Sequence, residues 1–204
     1  MFLVIKSYLL AYVFIIIIYV MKIVVLGDSI RMGYAPEVEK YFVEKGYDFY
    51  QPQDNCRFMK YLLRVLFDDR DRIKDADVIQ FNAGHWDICQ LYEDKLPFSS
   101  KEEFKENLIR VINILLKITP KVIFATTTPV RLENPYNDNK VIDEYNQIAV
   151  DIVKQYGIKV NDLNSLLKKD IYKYICDDNI HLSEEGIAEC KKQTIRFIEE
   201  ALKQ

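Results

Sequence analysis

Five short apolar runs alternate along this chain with longer segments that have helical periodicity. This alternation predicts strand–helix units around a parallel sheet, because each helix returns the chain to the edge where the next strand starts. Four of the runs are rich in Val, Ile and Phe, as expected for strands buried on both faces. The predicted strands are 22–27, 47–51, 77–82, 121–126 and 158–161, and the predicted helices are 36–45, 57–70, 101–118, 141–155 and 184–202.

Residues at the predicted helix ends support these boundaries. Pro36 suits a first helical turn, where the missing N–H costs nothing. Gly46 and Gly157 suit the position after a helix, where positive φ is common. Ser183 is a good cap for the last helix. The fold class predicted from these patterns is α/β, a three-layer sandwich with about five parallel strands.

Composition narrows the class of protein. The chain has 204 residues, half of them hydrophobic and 29% charged, which fits one globular domain with a substantial core. A formal net charge of -3 without a Lys/Arg cluster argues against a nucleic-acid partner. The four cysteines form no CxxC pair, so we expect reduced thiols rather than disulfides or a zinc site.

The hydrophobic segment 1–20 has two interpretations. Its length is close to the ~20 residues that span a bilayer, so it predicts a membrane anchor. Alternatively Met21 is the true start, because the first core strand begins at Lys22 without a linker. With either interpretation, the predicted globular domain spans residues 21–204. The protein is expected to be cytoplasmic if Met21 is the start, and membrane-anchored through 1–20 otherwise.

Two distant stretches carry candidate catalytic residues. Ser29 follows the first strand within Gly27-Asp28-Ser29, and Asp178 and His181 lie three residues apart before the last helix. Serine needs an imidazole to accept its proton and a carboxylate to orient that imidazole. Taken alone, Ser29 is more typical of a helix cap, Asp178 of a turn and His181 of a surface residue. Together they indicate a nucleophile, an orienting carboxylate and a base, with Asp177 as the weaker alternative to Asp178.

These motifs resemble those of the SGNH (GDSL-type) hydrolases. Gly27-Asp28-Ser29 matches the first block of that family, and Asp178-Asn179-Ile180-His181 matches the last. The segment Gly84-His85-Trp86-Asp87 resembles the third block, normally Gly-x-Asn-Asp. The similarity covers essentially residues 22–204 in the order of the family. It implies a flavodoxin-like α/β/α fold with Ser29 as nucleophile, His181 as base and Asp178 as its orienter.

The oxyanion-binding residues depart from the family pattern. Trp86 stands where the family has the asparagine that stabilises the oxyanion, and the glycine of the second block is not evident. Asn82 at the end of the third strand is one candidate donor, with Gly84 and Trp86 as neighbouring substrate-binding candidates. Asn55 is another candidate donor, although it serves equally well as a cap for the second predicted helix.

His85 and Arg31 remain as candidates for substrate contact. His85 has no HxH or HxxxH companion, so we expect it to line the pocket rather than to bind a metal. Arg31 is placed either to neutralise an anionic substrate group or to pair with Asp28 or a helix carboxylate. No metal or cofactor is predicted, and the chain has no glycine-rich phosphate loop.

The function expected from the sequence is a serine ester hydrolase without a cofactor. A short acyl group such as acetyl on a sugar is preferred, so the expected partner is a small-molecule or glycan ester. One alternative is an O-acyltransferase on glycans, because a sugar hydroxyl can intercept the same acyl-serine. The other is a catalytically weak binding protein that keeps the fold, for which Trp86 is the best support.

Overall fold

A computed structural model of the protein describes residues 19–203. Five strands form one parallel sheet, and helices of very different lengths connect them. The strands are β1 (Lys22–Leu26), β2 (Asp48–Tyr50), β3 (Val78–Phe81), β4 (Val122–Ala125) and β5 (Lys159–Asn161). The helices are α1 (Ser29–Glu44), α2 (Met59–Asp68), α3 (Arg70–Ile73), α4 (His85–Ile88), α5 (Lys101–Ile118), α6 (Asn139–Gln155), α7 (Leu163–Leu167), α8 (Ile171–Tyr174) and α9 (Glu184–Leu202).

The strand order places β1 beside the point where the chain reverses its direction across the sheet. The order is β2-β1-β3-β4-β5, so the chain first moves outward from β1 to β2 and then crosses to β3 on the other side. Ile23 pairs with Phe49 on one side and with Val78 on the other. In parallel sheets a crevice opens at this point outside the carboxyl ends of the strands. The segments after β1 and β3 border that crevice.

Both faces of the sheet are covered, as the sequence predicts. Val24, Ile79 and Phe124 point into one core together with side chains of α2, α5 and α6. Ile23, Val25 and Ile123 point into a second core that contains side chains of α1 and α9. Side chains that alternate along each strand therefore pack into two separate cores, one on each face of the sheet. This confirms the three-layer α/β/α sandwich.

The first helix begins earlier than the sequence predicts. Asp28 caps it by accepting a hydrogen bond from the Ile30 N–H at 3.1 Å, so α1 starts at Ser29 and Pro36 lies inside it. The prediction that Pro36 occupies a first turn is therefore wrong. The reason is that proline removes one helical hydrogen bond but does not outweigh a buried cap eight residues before it.

Most of the other boundary predictions are confirmed. Gly46 and Gly157 have φ values of 84° and 70°, and each follows a long helix. Ser183 caps α9 by accepting from the Gly186 N–H. Four short helices, α3, α4, α7 and α8, were not predicted, because four or five residues are too few to show helical periodicity.

Tyr19 joins the preceding chain to the amino edge of the sheet. Its hydroxyl donates to Asp77 Oδ1 at 2.6 Å, and the Lys22 N–H donates to Asp77 Oδ2 at 2.7 Å. Within residues 19–203 no helix combines the length and hydropathy that a membrane span requires. The hydrophobic segment predicted at 1–20 lies outside the described residues except for Tyr19 and Val20.

Candidate active site

Ser29 lies at the carboxyl end of β1, on the first turn of α1. Gly27 and Asp28 form the bend between strand and helix, and Asp28 supplies the cap. The capping role considered for Ser29 therefore belongs to its neighbour, which leaves the Ser29 hydroxyl available. As the first residue of α1, Ser29 also has a backbone N–H without an acceptor inside the helix. The serine thus brings both a hydroxyl and an N–H to the crevice.

The loop before α9 folds back on itself and presents His181. Ile175 and Leu182 form an antiparallel bridge across the base of the loop. At its tip Asn179 adopts a left-handed conformation with φ of 71°, which asparagine tolerates better than most residues. This turn brings the N–H groups of Ile180 and His181 onto one oxygen, Asp178 Oδ1, at 3.0 and 2.9 Å.

A continuous hydrogen-bond chain joins the three predicted catalytic residues. Asp178 Oδ2 lies 2.6 Å from His181 Nδ1, and His181 Nε2 lies 2.9 Å from Ser29 Oγ. The imidazole thus has one nitrogen on the carboxylate and the other on the hydroxyl. This is the arrangement that a serine nucleophile requires for proton removal.

Asp178 is held in its ionised form. Partial burial raises its pKa, but hydrogen bonds from the His181 and Ile180 N–H groups, the His181 ring and the Cys176 thiol outweigh that effect. The pKa of Asp178 therefore lies well below its ordinary value. The Cys176 thiol donates to Oδ1 at 3.1 Å, a contact that the sequence did not suggest.

Asp177, the alternative orienter, points elsewhere. Its side chain is 99% exposed and its Oδ1 lies 2.6 Å from a guanidinium nitrogen of Arg131. The same guanidinium donates to the carbonyl oxygens of Ile175 and Tyr172. Asp177 thus helps to hold the loop in place and does not contact His181.

Asn82 supports the turn Gly27–Ser29 from beneath. Its Nδ2 donates to Asp28 Oδ1 at 3.1 Å, and both side chains are buried. A Cβ atom on Gly27 would collide with the Asn82 amide oxygen, so only glycine allows this approach. The Asn82 Nδ2 group, predicted as an oxyanion donor, is therefore engaged with Asp28.

Gly84 and His85 form a buried wall near Ser29 and His181. His85 Nε2 lies 2.9 Å from Thr128 Oγ1, and its backbone carbonyl accepts from Asn137. Burial lowers the pKa of His85, so its ring is neutral at pH 7. Gly84 lies against Thr127, whose hydroxyl occupies the space that a Cβ atom on Gly84 would need.

Asn55 and Trp86, the remaining oxyanion and substrate candidates, differ in their exposure and contacts. The Asn55 N–H donates to Asp54 Oδ1, and Asn55 Oδ1 accepts from the Arg57 N–H, both at 2.7 Å. The side-chain NH₂ is the donor that remains to Asn55. Trp86 lies on α4 with 44% of its surface exposed, and it points outward rather than into the core.

Arg31 does not reach the substrate side of the crevice. It is 2% exposed, and its guanidinium donates to Gln51, Pro52, Asp54 and Gly27. All of these acceptors are carbonyl or amide oxygens. Neither a contact with an anionic substrate group nor an ion pair with Asp28 agrees with this arrangement, because the side chain is buried and its donors are engaged.

The loops 89–100 and 126–138 border a cavity, and both expose large apolar side chains. The cavity has a volume of about 260 Å³ and lies between Gln90, Lys95 and the segment 131–139. The second loop contacts the triad loop, because the Arg131 N–H and the Asn134 Nδ2 both donate to Asn179 O. The exposed apolar residues of these loops and of α4 are Trp86, Leu91, Tyr92, Leu96, Phe98, Leu132 and Tyr136, here called the apolar rim.

Comparison with known proteins gives two curated relatives. One is the GDSL esterase/lipase WDL1 of Oryza sativa subsp. japonica, 24% identical over 162 residues, covering 72% of this chain and 62% of that protein. The other is an acetylxylan esterase of Xylanibacter ruminicola, 35% identical over 68 residues, covering 33% of this chain and 14% of that protein. The chain thus spans less than two thirds of the length of either relative. No family model matches it.

A solved structure has the same fold. The lipase/acylhydrolase of Enterococcus faecalis superposes with a TM-score of 0.74 at 20% identity, over 87% of this chain and 95% of that one. The chain is therefore similar to SGNH (GDSL-type) hydrolases in sequence and in fold. Compared with that family its third block is unusual, because Trp86 occupies the asparagine position.

Proposed function

We propose that this SGNH-type protein is a serine ester hydrolase. One observation carries the proposal: the unbroken hydrogen-bond chain from Asp178 through His181 to Ser29 at the carboxyl edge of the sheet. The named relatives, an esterase/lipase and an acetylxylan esterase, support ester bonds as the target.

The proposed reaction proceeds through an acyl-serine. Ser29 Oγ attacks the ester carbonyl while His181 Nε2 accepts its proton, and Asp178 stabilises the imidazolium that forms. The Ser29 N–H and the Asn55 side-chain amide stabilise the negative oxygen of the tetrahedral intermediate. His181 then gives the proton to the departing alcohol. A water molecule, activated by the same imidazole, releases the acid and restores Ser29.

The exposure of the base favours hydrolysis over transfer to a sugar. His181 and Asp178 each have 47% of their side-chain surface exposed, so water reaches the imidazole directly. A transferase must keep water away from its acyl intermediate while it waits for an acceptor. The open triad therefore supports water as the second substrate.

The proposed substrate is a short acyl ester, preferably acetyl, on a carbohydrate. The match to an acetylxylan esterase supports acetyl groups on a glycan. The apolar rim adds support, since exposed aromatic rings such as Trp86 and Tyr136 are suited to stack on sugar rings.

Acetate release tests the proposal directly. The full chain and its Ser29→Ala variant are incubated with 4-nitrophenyl acetate and with acetylated xylo-oligosaccharides, and the products are quantified. We expect hydrolysis by the wild-type protein and only the buffer rate with Ser29→Ala. A mass increase on Ser29 after treatment with a fluorophosphonate would report the same nucleophile independently. Equal rates for the two proteins would refute the proposal and favour a binding protein.

A further inference from the structure

Arg31 is a buried cation that uses its whole guanidinium group on backbone and amide oxygens. One terminal nitrogen donates to Pro52 O at 2.8 Å and to Gln51 Oε1 at 3.0 Å. The other donates to Asp54 O at 2.7 Å and to Gly27 O at 3.3 Å, and Nε lies 3.4 Å from Gly27 O. The planar fork of arginine thus joins two separate segments of the chain.

These two segments are the nucleophile turn and the loop that follows β2. Gly27 O belongs to the turn that presents Ser29, and it also accepts from the Cys56 N–H at 3.0 Å. Pro52 and Asp54 belong to the loop. Asn55 therefore lies between a residue fixed by Arg31 and a residue fixed by Gly27.

A buried charge is a costly way to obtain stability alone. Removing a guanidinium from water costs several kcal/mol, and apolar side chains of similar volume often stabilise as well or better. Asp28 is a buried carboxylate in the same region. It raises the pKa of the Cys56 thiol, whereas Arg31 lowers it. What arginine adds is fixed geometry, because its donors point in preset directions.

We propose that Arg31 is a positioning residue for the oxyanion-binding side of the site. Its guanidinium fixes the 51–56 loop against the Gly27–Ser29 turn, so that the Asn55 side-chain amide faces the oxygen of the reacting carbonyl. This inference rests on the proposed ester hydrolase function. Arg31 itself touches neither substrate nor the reacting atoms.

The Arg31→Lys variant tests this role while keeping the charge and most of the volume. An ammonium has no planar fork and cannot bond both Gly27 O and Asp54 O in the same way. Losing one oxyanion donor typically lowers kcat by about 10²–10³-fold. We expect Asn55→Ala to fall in that range and Arg31→Lys to lose about 10-fold or more, both with KM nearly unchanged.

A double-mutant cycle separates positioning from general destabilisation. If Arg31 acts through Asn55, the Arg31→Lys/Asn55→Ala double variant loses little more kcat than Asn55→Ala alone. Fully additive losses would overturn the proposal. So would an Asn55→Ala variant with wild-type kcat, and this second test does not depend on whether Arg31→Lys folds.

Ile112→Val provides a matched control for stability. Ile112 is fully buried in the core between the sheet and α5, on the other side of the molecule's central layer from α1. It is expected to lower the melting temperature while leaving kcat at the wild-type value. A similar loss of kcat in this control would show that destabilisation alone explains Arg31→Lys.

An access route allows chemical rescue. A cavity of about 290 Å³ opens beside Arg31, lined also by Met32, Gln51 and Pro52. In Arg31→Ala we expect methylguanidinium to restore part of kcat, whereas methylammonium does not. Equal restoration of kcat by the two cations would contradict the requirement for a planar guanidinium group.

The outcomes also distinguish this inference from the proposed function. A wild-type protein that neither hydrolyses esters nor reacts with a fluorophosphonate refutes the hydrolase proposal. Normal wild-type hydrolysis together with an unchanged kcat in Arg31→Lys refutes only the role of Arg31.

Discussion

The carboxyl group of Asp87 should make the stability of this protein depend on pH in an unusual direction. Asp87 lies on α4 and is 1% exposed. Its Oδ2 accepts from the Met59 N–H at the start of α2 at 2.8 Å, and its Oδ1 accepts from the Ser99 hydroxyl at 2.7 Å. Burial raises its pKa from 3.8 to about 6, because these two hydrogen bonds compensate only part of the lost hydration.

The magnitude follows from the two pKa values. Between about pH 4 and 6 the folded protein holds a proton on Asp87 that the unfolded chain has released. The resulting stabilisation is complete below the unfolded pKa and is lost as the pH rises through about 6. A shift of about two pKa units corresponds to about 3 kcal/mol of unfolding free energy. Carboxylates with lowered pKa values, such as Asp178, act in the opposite direction.

Asp87→Asn isolates this contribution. The amide oxygen can accept from the Met59 N–H while the amide nitrogen donates to Ser99 Oγ, so the variant keeps both contacts without a titrating group. Urea unfolding of the two proteins at intervals from pH 3.5 to 7.5 gives their free energies of unfolding. We expect the wild-type value minus the variant value to fall by about 3 kcal/mol across the range. A difference that stays constant with pH would refute the assignment of a raised pKa to Asp87.

Two further substitutions test the site and its wall. Asp178→Asn should lower kcat of ester hydrolysis about 10³- to 10⁴-fold, because the amide no longer holds the required imidazole tautomer. The control Asp177→Asn should retain most activity. Comparable losses of kcat in both variants would contradict the assignment of Asp178 as the orienting carboxylate. Gly84→Ala places a methyl group against the Thr127 hydroxyl and should lower the free energy of unfolding by about 1–3 kcal/mol. In the control Gly33→Ala the new Cβ atom would lie 3.8 Å from Ile187, so stability should stay unchanged or rise. Equal midpoints of thermal unfolding for Gly84→Ala and this control would contradict the predicted collision with Thr127.

Helix and strand prediction succeeded where local chemistry was explicit. The predicted bounds 101–118 and 184–202 coincide with α5 and α9, because serine caps mark their starts: Ser100 forms a capping box with Glu103, and Ser183 caps the last helix. The start of α1 was misplaced since Pro36 was given more weight than Asp28. The capping role of Asp28 depends on its burial and on its contact with Asn82, and neither can be read from the neighbouring residues in the sequence.

Contacts within the candidate site could be predicted where the spacing of residues carries information. The three-residue separation of Asp178 and His181 pointed to a contact between them, and that contact is present. The position of Arg31 two residues after Ser29 suggested either a contact with an anionic substrate group or an ion pair with a nearby carboxylate, and the observed hydrogen bonds are neither. Two of its four acceptors, Pro52 O and Asp54 O, are backbone carbonyls more than twenty residues away, and a carbonyl has no signature in the sequence. The bond from the Cys176 thiol to Asp178 was not predicted either, although the two residues are only two positions apart.

The contact between Tyr19 and Asp77 has a practical consequence for immobilising this protein. It fixes the point where the upstream chain enters the fold at the amino edge of the sheet, whereas Ser29 lies at the carboxyl edge. The five residues of β1 separate the two edges by about 17 Å, at about 3.3 Å per residue. A resin or electrode coupled at Tyr19 itself would therefore lie at the edge of the sheet opposite Ser29, which leaves the crevice open to the bulk solution and to large polymers in it.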